Sequence, residues 1–282
     1  MEIITKKRDL QQKVLSIKSG GKKVGFVPTM GFLHEGHLEL VRKAKSENDA
    51  VVMSIFVNPL QFGPNEDFEA YPRNEKRDTQ LAETEGVDVL FIPSPAEMYG
   101  SGMSIRMGVA SRTDVLCGKS RPGHFDGVVT VLSKLFHIVM PDRAYFGLKD
   151  AQQVAVVDLL IRDLDFPVEL VPVDTIREED GLAKSSRNVY LSEQERAQAP
   201  MIFRSLEEAK RAILDGERDA SAIALKLERK LKETGGVIDY VEITSYPELK
   251  PLARLEGKLL IAVAVKFSKA RLIDNMIVDI RD

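Results

Sequence analysis

Along the first half of the chain, short unbroken apolar runs alternate with stretches whose apolar residues recur every three or four positions. That is the pattern of parallel strands buried on both faces and of the helices that cover them. Residues 23–27 predict a first strand stopping at Pro28, and 50–57 (AVVMSIFV) a second, with a helix over about 37–47 between them. Residues 74–85 predict a helix, 87–92 a strand, and Pro93-Ser94-Pro95 its stop signal. The alternation resumes with an apolar helix over 127–140, a strand over 143–146, a helix over 150–164 and a strand over 168–173. Such an order predicts an α/β fold with a doubly wound parallel sheet. After Asp174 a polar segment, 177–188, leads to Ser192-Glu-Gln-Glu195, a capping box that predicts the start of a long helix. A helix over 220–234 and strands over 237–244, 258–267 and 271–280 then predict a smaller α+β domain. The boundary falls in the polar segment, dividing the chain into 1–175 and 176–282, and no solenoid-type repeat is present.

The richest chemistry lies where the first strand meets the first helix, in Pro28-Thr-Met-Gly31-Phe-Leu-His34-Glu-Gly36-His37. In a parallel sheet this edge binds ligands. Glycines allow close approach, and a helix N-terminus offers N–H groups and positive dipole to an anion. Two imidazoles three residues apart add donors on one side, and the set suits a triphosphate. A lone histidine here would merely cap the helix, but the pair points to function. No Gly-Lys-Ser/Thr follows, so this is not a Walker loop, and the glycine spacing is not that of the dinucleotide fingerprint. Asn58 and Gln61 follow the second strand; their amides suit a hydroxy acid, although Asn58-Pro59 equally suits a turn. Lys184-Ser185-Ser186-Arg187 sets two cations and two hydroxyls in four residues, enough to embrace pyrophosphate. Arg121-Pro-Gly-His124 reads as a loop near the site, His137 as a packed core histidine and Cys117 as structural.

His-x-Gly-His after a first strand resembles the nucleotidyltransferase superfamily and its class I aminoacyl-tRNA synthetase relatives. Five longer stretches resemble, in order, the pantothenate synthetase family: PTMGFLHEGH at 28–37, FVNPLQFGPNEDFEAYPR at 56–73, RPGHFDGVVTVLSKLF at 121–136, FGLKDAQQ at 146–153 and GLAKSSRN at 181–188. The resemblance implies a Rossmann-like catalytic domain and a C-terminal lid. It implies an AMP-forming ligase that condenses (R)-pantoate with β-alanine through a pantoyl adenylate, releasing AMP and pyrophosphate. By the same resemblance, His34, His37, Lys149 and Arg187 are catalytic. ATP is bound by Met30, Gly31, Phe32, Leu33, His34, Glu35, Gly36, His37, Gly147, Leu148, Lys149, Asp150, Ile176, Lys184, Ser185, Ser186 and Arg187. Gln61 and Gln153 are implied to bind pantoate, Gln61 also β-alanine, and Mg2+ is expected with the triphosphate. A homodimer is implied too.

Composition narrows the partners. In 282 residues, Lys+Arg number 40 against Asp+Glu 43, so no basic excess exists to neutralise a nucleic acid or an anionic membrane. One cysteine allows no internal disulfide, and the start lacks a secretory signal, so a soluble cytoplasmic enzyme is expected. The substrate's carboxylate, with a pKa of about 4, is ionised at neutral pH and needs no base before attacking phosphorus. β-Alanine's ammonium titrates near ~10 and must lose a proton, and the sequence names no base for it. A related nucleotidyltransferase making a dinucleotide or cytidylyl product, and a nonenzymatic RNA-binding relative, are the rival readings. The FVNPLQF stretch argues against the first, and the charge balance against the second.

Overall fold

The computed structural model describes every residue except Asn65, Asp67, Arg281 and Asp282, so two positions of the 56–73 stretch lie outside the described residues. The first part of the chain runs β1 (Glu2–Ile4), α1 (Lys7–Ser19), β2 (Val24–Thr29), α2 (Glu35–Glu47), β3 (Ala50–Ile55), α3 (Glu75–Thr84) and β4 (Val89–Phe91). It continues through α4 (Pro95–Tyr99), α5 (Leu116–Ser120), α6 (His124–Val139), β5 (Arg143–Gly147), α7 (Ala151–Asp163) and β6 (Glu169–Val173). The remainder forms α8 (Glu193–Gln198), α9 (Met201–Leu214), α10 (Ala220–Lys232), β7 (Val237–Ser245), β8 (Gly257–Lys266) and β9 (Arg271–Ile280). The chain divides into two compact units. The first holds Met1–Ala110, Arg121–Leu148 and Val156–Asp174, and the second holds Ser111–Ser120, Lys149–Ala155 and Thr175–Asp282.

In the first unit the strands lie in the order β1-β4-β3-β2-β5-β6, every pair parallel. The chain winds outward from β2 to β3 and β4, then returns to the other side of β2 as β5 and β6. This is the doubly wound sheet the alternation predicts, and its order reverses between β2 and β5. Ligands bind in such sheets outside the carboxyl ends of the strands at the reversal. Here those ends are Thr29 and Gly147. β2 runs one residue past the expected stop at Pro28. On the β3 side the Thr29 carbonyl accepts Phe56 N–H at 3.0 Å, so Pro28 faces β5, where pairing ends at Phe26. Its missing N–H therefore interrupts no ladder, and β2 and β5 part at the edge where a ligand would enter. Residues 1–20, for which the pattern predicted no element, add the short edge strand β1 and α1, which buries only Leu10 and Val14. So polar a helix carries little periodic signal.

The second unit is built on the antiparallel sheet β7-β8-β9. One face of β8, Leu259, Ile261, Val263 and Val265, packs with Ile202, Leu206 and Ile213 of α9 and Ile223, Leu227 and Leu231 of α10. The other face, Leu260 and Ala262, packs with Val115, Leu116, Ala151 and Ala155. A strand buried on both sides needs a cover on each, which is why two short stretches from earlier in the sequence belong to this unit. The long helix expected after Ser192 is two helices. Pro200 has no N–H to donate into the turn before it, so α8 ends and α9 starts afresh. His137 is a second correction: it is exposed, not core, with Nδ1 2.7 Å from the Ser133 carbonyl and its ring edge-on to Phe166. α6 is buried along most of its length and around most of its circumference, and His137, near its C-terminal end, is where it meets solvent.

The capping box does form, and Glu195 does more than cap. It accepts from Ser192 N–H at 2.9 Å and, with its other oxygen, from Ser268 N–H at 2.8 Å in the turn between β8 and β9. The Ser268 and Ser192 backbone N–H groups lower its pKa from 4.5 to about 2. A depressed carboxylate stabilises the fold fully above its unfolded pKa and loses that contribution as pH falls through the folded one. Thermal unfolding of Glu195→Gln is therefore expected to fall below wild type above about pH 4.5 and to converge with it toward pH 2. A gap that stays constant across that window would refute the link.

Candidate active site

In the first unit, the loop between β2 and α2 is shaped by a carboxylate distant in sequence. Asp78 of α3, 1% exposed, accepts Phe32 N–H at 2.6 Å and Leu33 N–H at 2.8 Å. Arg77 closes the same corner, donating to the Leu33 carbonyl at 2.9 Å and stacking over the Phe32 ring. Thr29 Oγ1 donates to the Ser54 carbonyl at 2.8 Å and accepts Gly31 N–H. Gly31 has φ 83°, and a Cβ there would lie 2.9 Å from Ile55, so glycine is required on both counts. Leu33 buries its side chain in the core with Val27, Leu38 and Val41.

His34 and His37 then form a reciprocal cap. His34 Nδ1 accepts Gly36 N–H at 3.2 Å, His37 Nδ1 accepts His34 N–H at 3.3 Å, and the ring centroids lie 4.0 Å apart. A backbone N–H can only donate, so in the neutral rings both protons sit on Nε2. Capping does not use up the rings' chemistry: Nδ1 of each serves the helix, and a neutral ring carries its donor proton on Nε2. The backbone differs from the simple expectation for a helix start. Phe32 and Leu33 commit their N–H groups to Asp78, and His34, Gly36 and His37 commit theirs within the cap. Imidazoles and the helix dipole, not a row of open N–H groups, are what this terminus offers an anion. The half-buried Met30 adjoins the loop, and Glu35 is drawn to Arg42, which also pairs with Glu85 at 2.6 Å.

Gln61 ends a 3-10 turn, Pro59–Gln61, capped by the fully buried Asn58. Its carbonyl accepts from His124 Nδ1 at 2.8 Å and from Arg121 at 3.2 Å, while Arg121 forks onto Glu66 at 2.6 and 2.7 Å. A carbonyl accepts only, so His124 carries its proton on Nδ1 and its Nε2 accepts from Arg121 at 3.2 Å. α6 approaches the turn so closely that a Cβ on Gly127 would lie 2.1 Å from the Leu60 carbonyl oxygen. The sequence reading of 121–124 as a loop near the site understated it: these side chains hold the turn that carries Gln61.

In the second unit, Lys149 and Asp150 lie in the 3-10 turn Leu148–Asp150, Lys149 half-buried and Asp150 exposed. Asn275 of β9 donates to the Lys149 carbonyl at 2.9 Å. Its neighbour Asp274 takes both ends of Arg177, at 2.6 and 3.0 Å, and Arg177 lies 4.1 Å over the Phe203 ring. Arg177 in turn bridges to Ala183, so this clasp holds the hairpin that bears Lys184 to Arg187. Within it the Ile176 carbonyl accepts Lys184 N–H at 2.9 Å, and Lys184 Nζ pairs with Glu178 at 2.7 Å. Ser185 Oγ caps the next turn through Arg187 N–H at 3.2 Å, and Ser186 is buried. Lys149, Ser185, Asn188 and Asp274 line a cavity with apolar walls from Leu182 and Ile202. Gln153 is half-buried, whereas Gln152 is a structural amide bonded to Arg112 and Val115 carbonyls. Cys117 is buried, with Tyr240 Oη at 3.4 Å and Arg271 at 3.5 Å.

The family model for pantoate-beta-alanine ligase matches residues 2–277. The chain belongs to the pantoate-beta-alanine ligase family. It is 60% identical over 281 residues to the pantothenate synthetase of Geobacillus sp. (strain WCH70), covering 99% of this chain and 100% of that one. It is 60% identical over 282 residues to the pantothenate synthetase of Bacillus subtilis (strain 168), covering 100% and 99%. Among solved structures, the pantothenate synthetase of Thermus thermophilus superposes with a TM-score of 0.92 at 45% identity, covering 98% of this chain and 99% of that one. The Francisella tularensis pantoate-beta-alanine ligase complexed with beta-gamma ATP and beta-alanine gives 0.79 at 36%, covering 98% and 97%. This chain is an enzyme of that ligase family.

Sequence reasoning missed Asp78, since a lone Asp in a polar stretch looks solvated, and it placed His124 near the site without its role in holding the Gln61 turn. Asp78 has the sharper consequence. Asp78→Ala leaves two loop N–H groups without acceptors, which costs about 1–3 kcal/mol. A lowered melting temperature together with a disproportionate loss of turnover is expected, and unchanged turnover at a temperature where the variant is fully folded would exclude a role in shaping the histidine loop.

Proposed function

We propose that the enzyme joins pantoate to β-alanine in two steps on ATP. In the first, a carboxylate oxygen of pantoate attacks the α-phosphorus; the new O–P bond forms as the bond to pyrophosphate breaks, giving pantoyl adenylate. In the second, the β-alanine amine, having lost a proton, attacks the acyl carbon, and AMP leaves as pantothenate forms. The observation that carries this reading is the close His34–His37 pair at the carboxyl end of β2, both Nδ1 atoms turned to the backbone. Two Nε2–H donors beside a helix dipole stabilise charge that grows on transferring phosphate. Lys149 and Arg187 are assigned the departing pyrophosphate, Gln61 and Gln153 the pantoate, and Gln61 also β-alanine. The backbone of Lys184 is assigned to ATP, because its ammonium is paired with Glu178.

Mg2+ is proposed to accompany the nucleotide and share the triphosphate's charge. Imidazole and backbone donors do not suit this ion, which prefers phosphate oxygens and water, so its ligands are assigned to the substrate. No helix among the described residues is long and apolar enough to cross a membrane. A cytoplasmic homodimer is the working form we propose, with sedimentation to decide the second point.

ATP–pyrophosphate exchange is expected to require pantoate and not β-alanine; exchange driven by β-alanine alone would overturn the order of steps. His37→Ala is expected to slow adenylation by roughly 10²–10³-fold, the loss for one preorganised donor. Supplied with prepared pantoyl adenylate and β-alanine, the same variant should recover much of its activity, since the triphosphate is gone. Equal loss in both assays would assign His37 to amide formation as well. We further assign residues 176–282 the role of a lid hinged at 174–188. ATP is expected to protect that segment from proteolysis, and identical cleavage with and without ATP would refute the hinge.

A further inference from the structure

Behind Gln61 runs a chain of buried side chains whose polarity has one solution. Asn58, 0% exposed, accepts at Oδ1 from Leu60 N–H at 3.2 Å and from Tyr99 Oη at 2.6 Å. Its Nδ2 donates to the Gly127 carbonyl at 3.0 Å and to Gln61 Oε1 at 3.0 Å. Turning the Asn58 amide over would set its NH2 against the Leu60 N–H and its oxygen against the Gly127 carbonyl. Neither backbone group can change role. The carbonyl of Gly127 cannot withdraw easily either, because α6 is seated directly on the turn that Leu60 belongs to. Gln61 must therefore give its oxygen to Asn58, and its Nε2 is the end left for a ligand.

Tyr99 is the far end of this chain. Burial pushes its hydroxyl well above the ordinary tyrosine pKa, so it stays protonated and can supply the hydrogen that Asn58 Oδ1 receives. Lys134, 5.8 Å from the centre of its ring, and Phe56, at 6.0 Å, hold the ring in place.

Resting on the ligase reading above, we propose that Tyr99 is a positioning residue that acts through Asn58 to fix Gln61 as a hydrogen-bond donor, so that the site selects substrates presenting an acceptor oxygen there. A carboxylate or hydroxyl oxygen is accepted; an ammonium group meets N–H with N–H and is rejected. Pantoate satisfies this with its hydroxyl or carboxylate oxygens. β-Alanine entering as the ammonium satisfies it only through its carboxylate, which leaves its nitrogen pointing elsewhere, as the second step requires once the proton is lost.

The test is a double-mutant cycle on the full-length enzyme, measuring pantoate binding by calorimetry with a nonhydrolysable ATP analogue present. Tyr99→Phe is expected to weaken pantoate binding about tenfold, the effect of one buried hydrogen bond, while affinity for the ATP analogue is unchanged. In a Gln61→Leu background, adding Tyr99→Phe should cost nothing more, because the group it orients is gone. Gln61→Glu keeps the acceptor for Asn58 but replaces the donor with a second oxygen, and is expected to bind pantoate no better than Gln61→Leu. Equal cost of Tyr99→Phe in both backgrounds, parallel loss of pantoate and ATP-analogue affinity, or wild-type binding by Gln61→Glu would each overturn the proposal. Failure of the wild-type protein to bind pantoate would overturn the ligase reading itself, and the two results cannot be confused.

Discussion

The buried carboxylate of Asp78 is the constraint on which the loop between β2 and α2 depends. A carboxylate 1% exposed is costly unless its oxygens are met, and Phe32 and Leu33 meet one each, with Arg77 3.6 Å away. The loop is thereby held to α3, a helix more than forty residues further along the chain. With those two N–H groups committed, the following residues have one direct way to start α2, the reciprocal histidine cap. Each imidazole turns Nδ1 to the helix and carries its proton on Nε2. The tautomers are thus a consequence of local helix capping, next to a loop held by a carboxylate elsewhere in the sequence.

A similar logic governs a second turn of the first unit. The turn bearing Gln61 is gripped from α6 by His124 and Arg121, approached by the Cβ-free Gly127, and wired through Asn58 to Tyr99. Most of these contacts pair a side chain with a backbone group whose polarity cannot change. Networks of this kind leave a side chain one orientation, and so convert an ambiguous amide into a defined donor. In the second unit the pair Asp274-Asn275 plays the comparable part, one residue holding Arg177 of the hairpin and the other the Lys149 backbone.

The sequence by itself determined the alternation of strands and helices, the doubly wound sheet, and the positions of His34, His37, Gln61, Lys149 and the 184–187 segment. These were legible because strand burial, helix periodicity and a paired His-x-Gly-His are local patterns, and because the longer stretches resemble a known family. Tertiary structure alone decided that the Gln61 oxygen goes to Asn58, and that the N–H groups of Phe32 and Leu33 are already used before α2 begins. It also moved His137 out of the core and split the helix after Ser192 at Pro200, where the missing N–H outweighed an apolar period that runs through it. The partners Asp78, Tyr99 and Gly127 stand 41 to 69 positions from the groups they bond. A hydrogen bond's polarity depends on both of its ends, and periodicity reports only one.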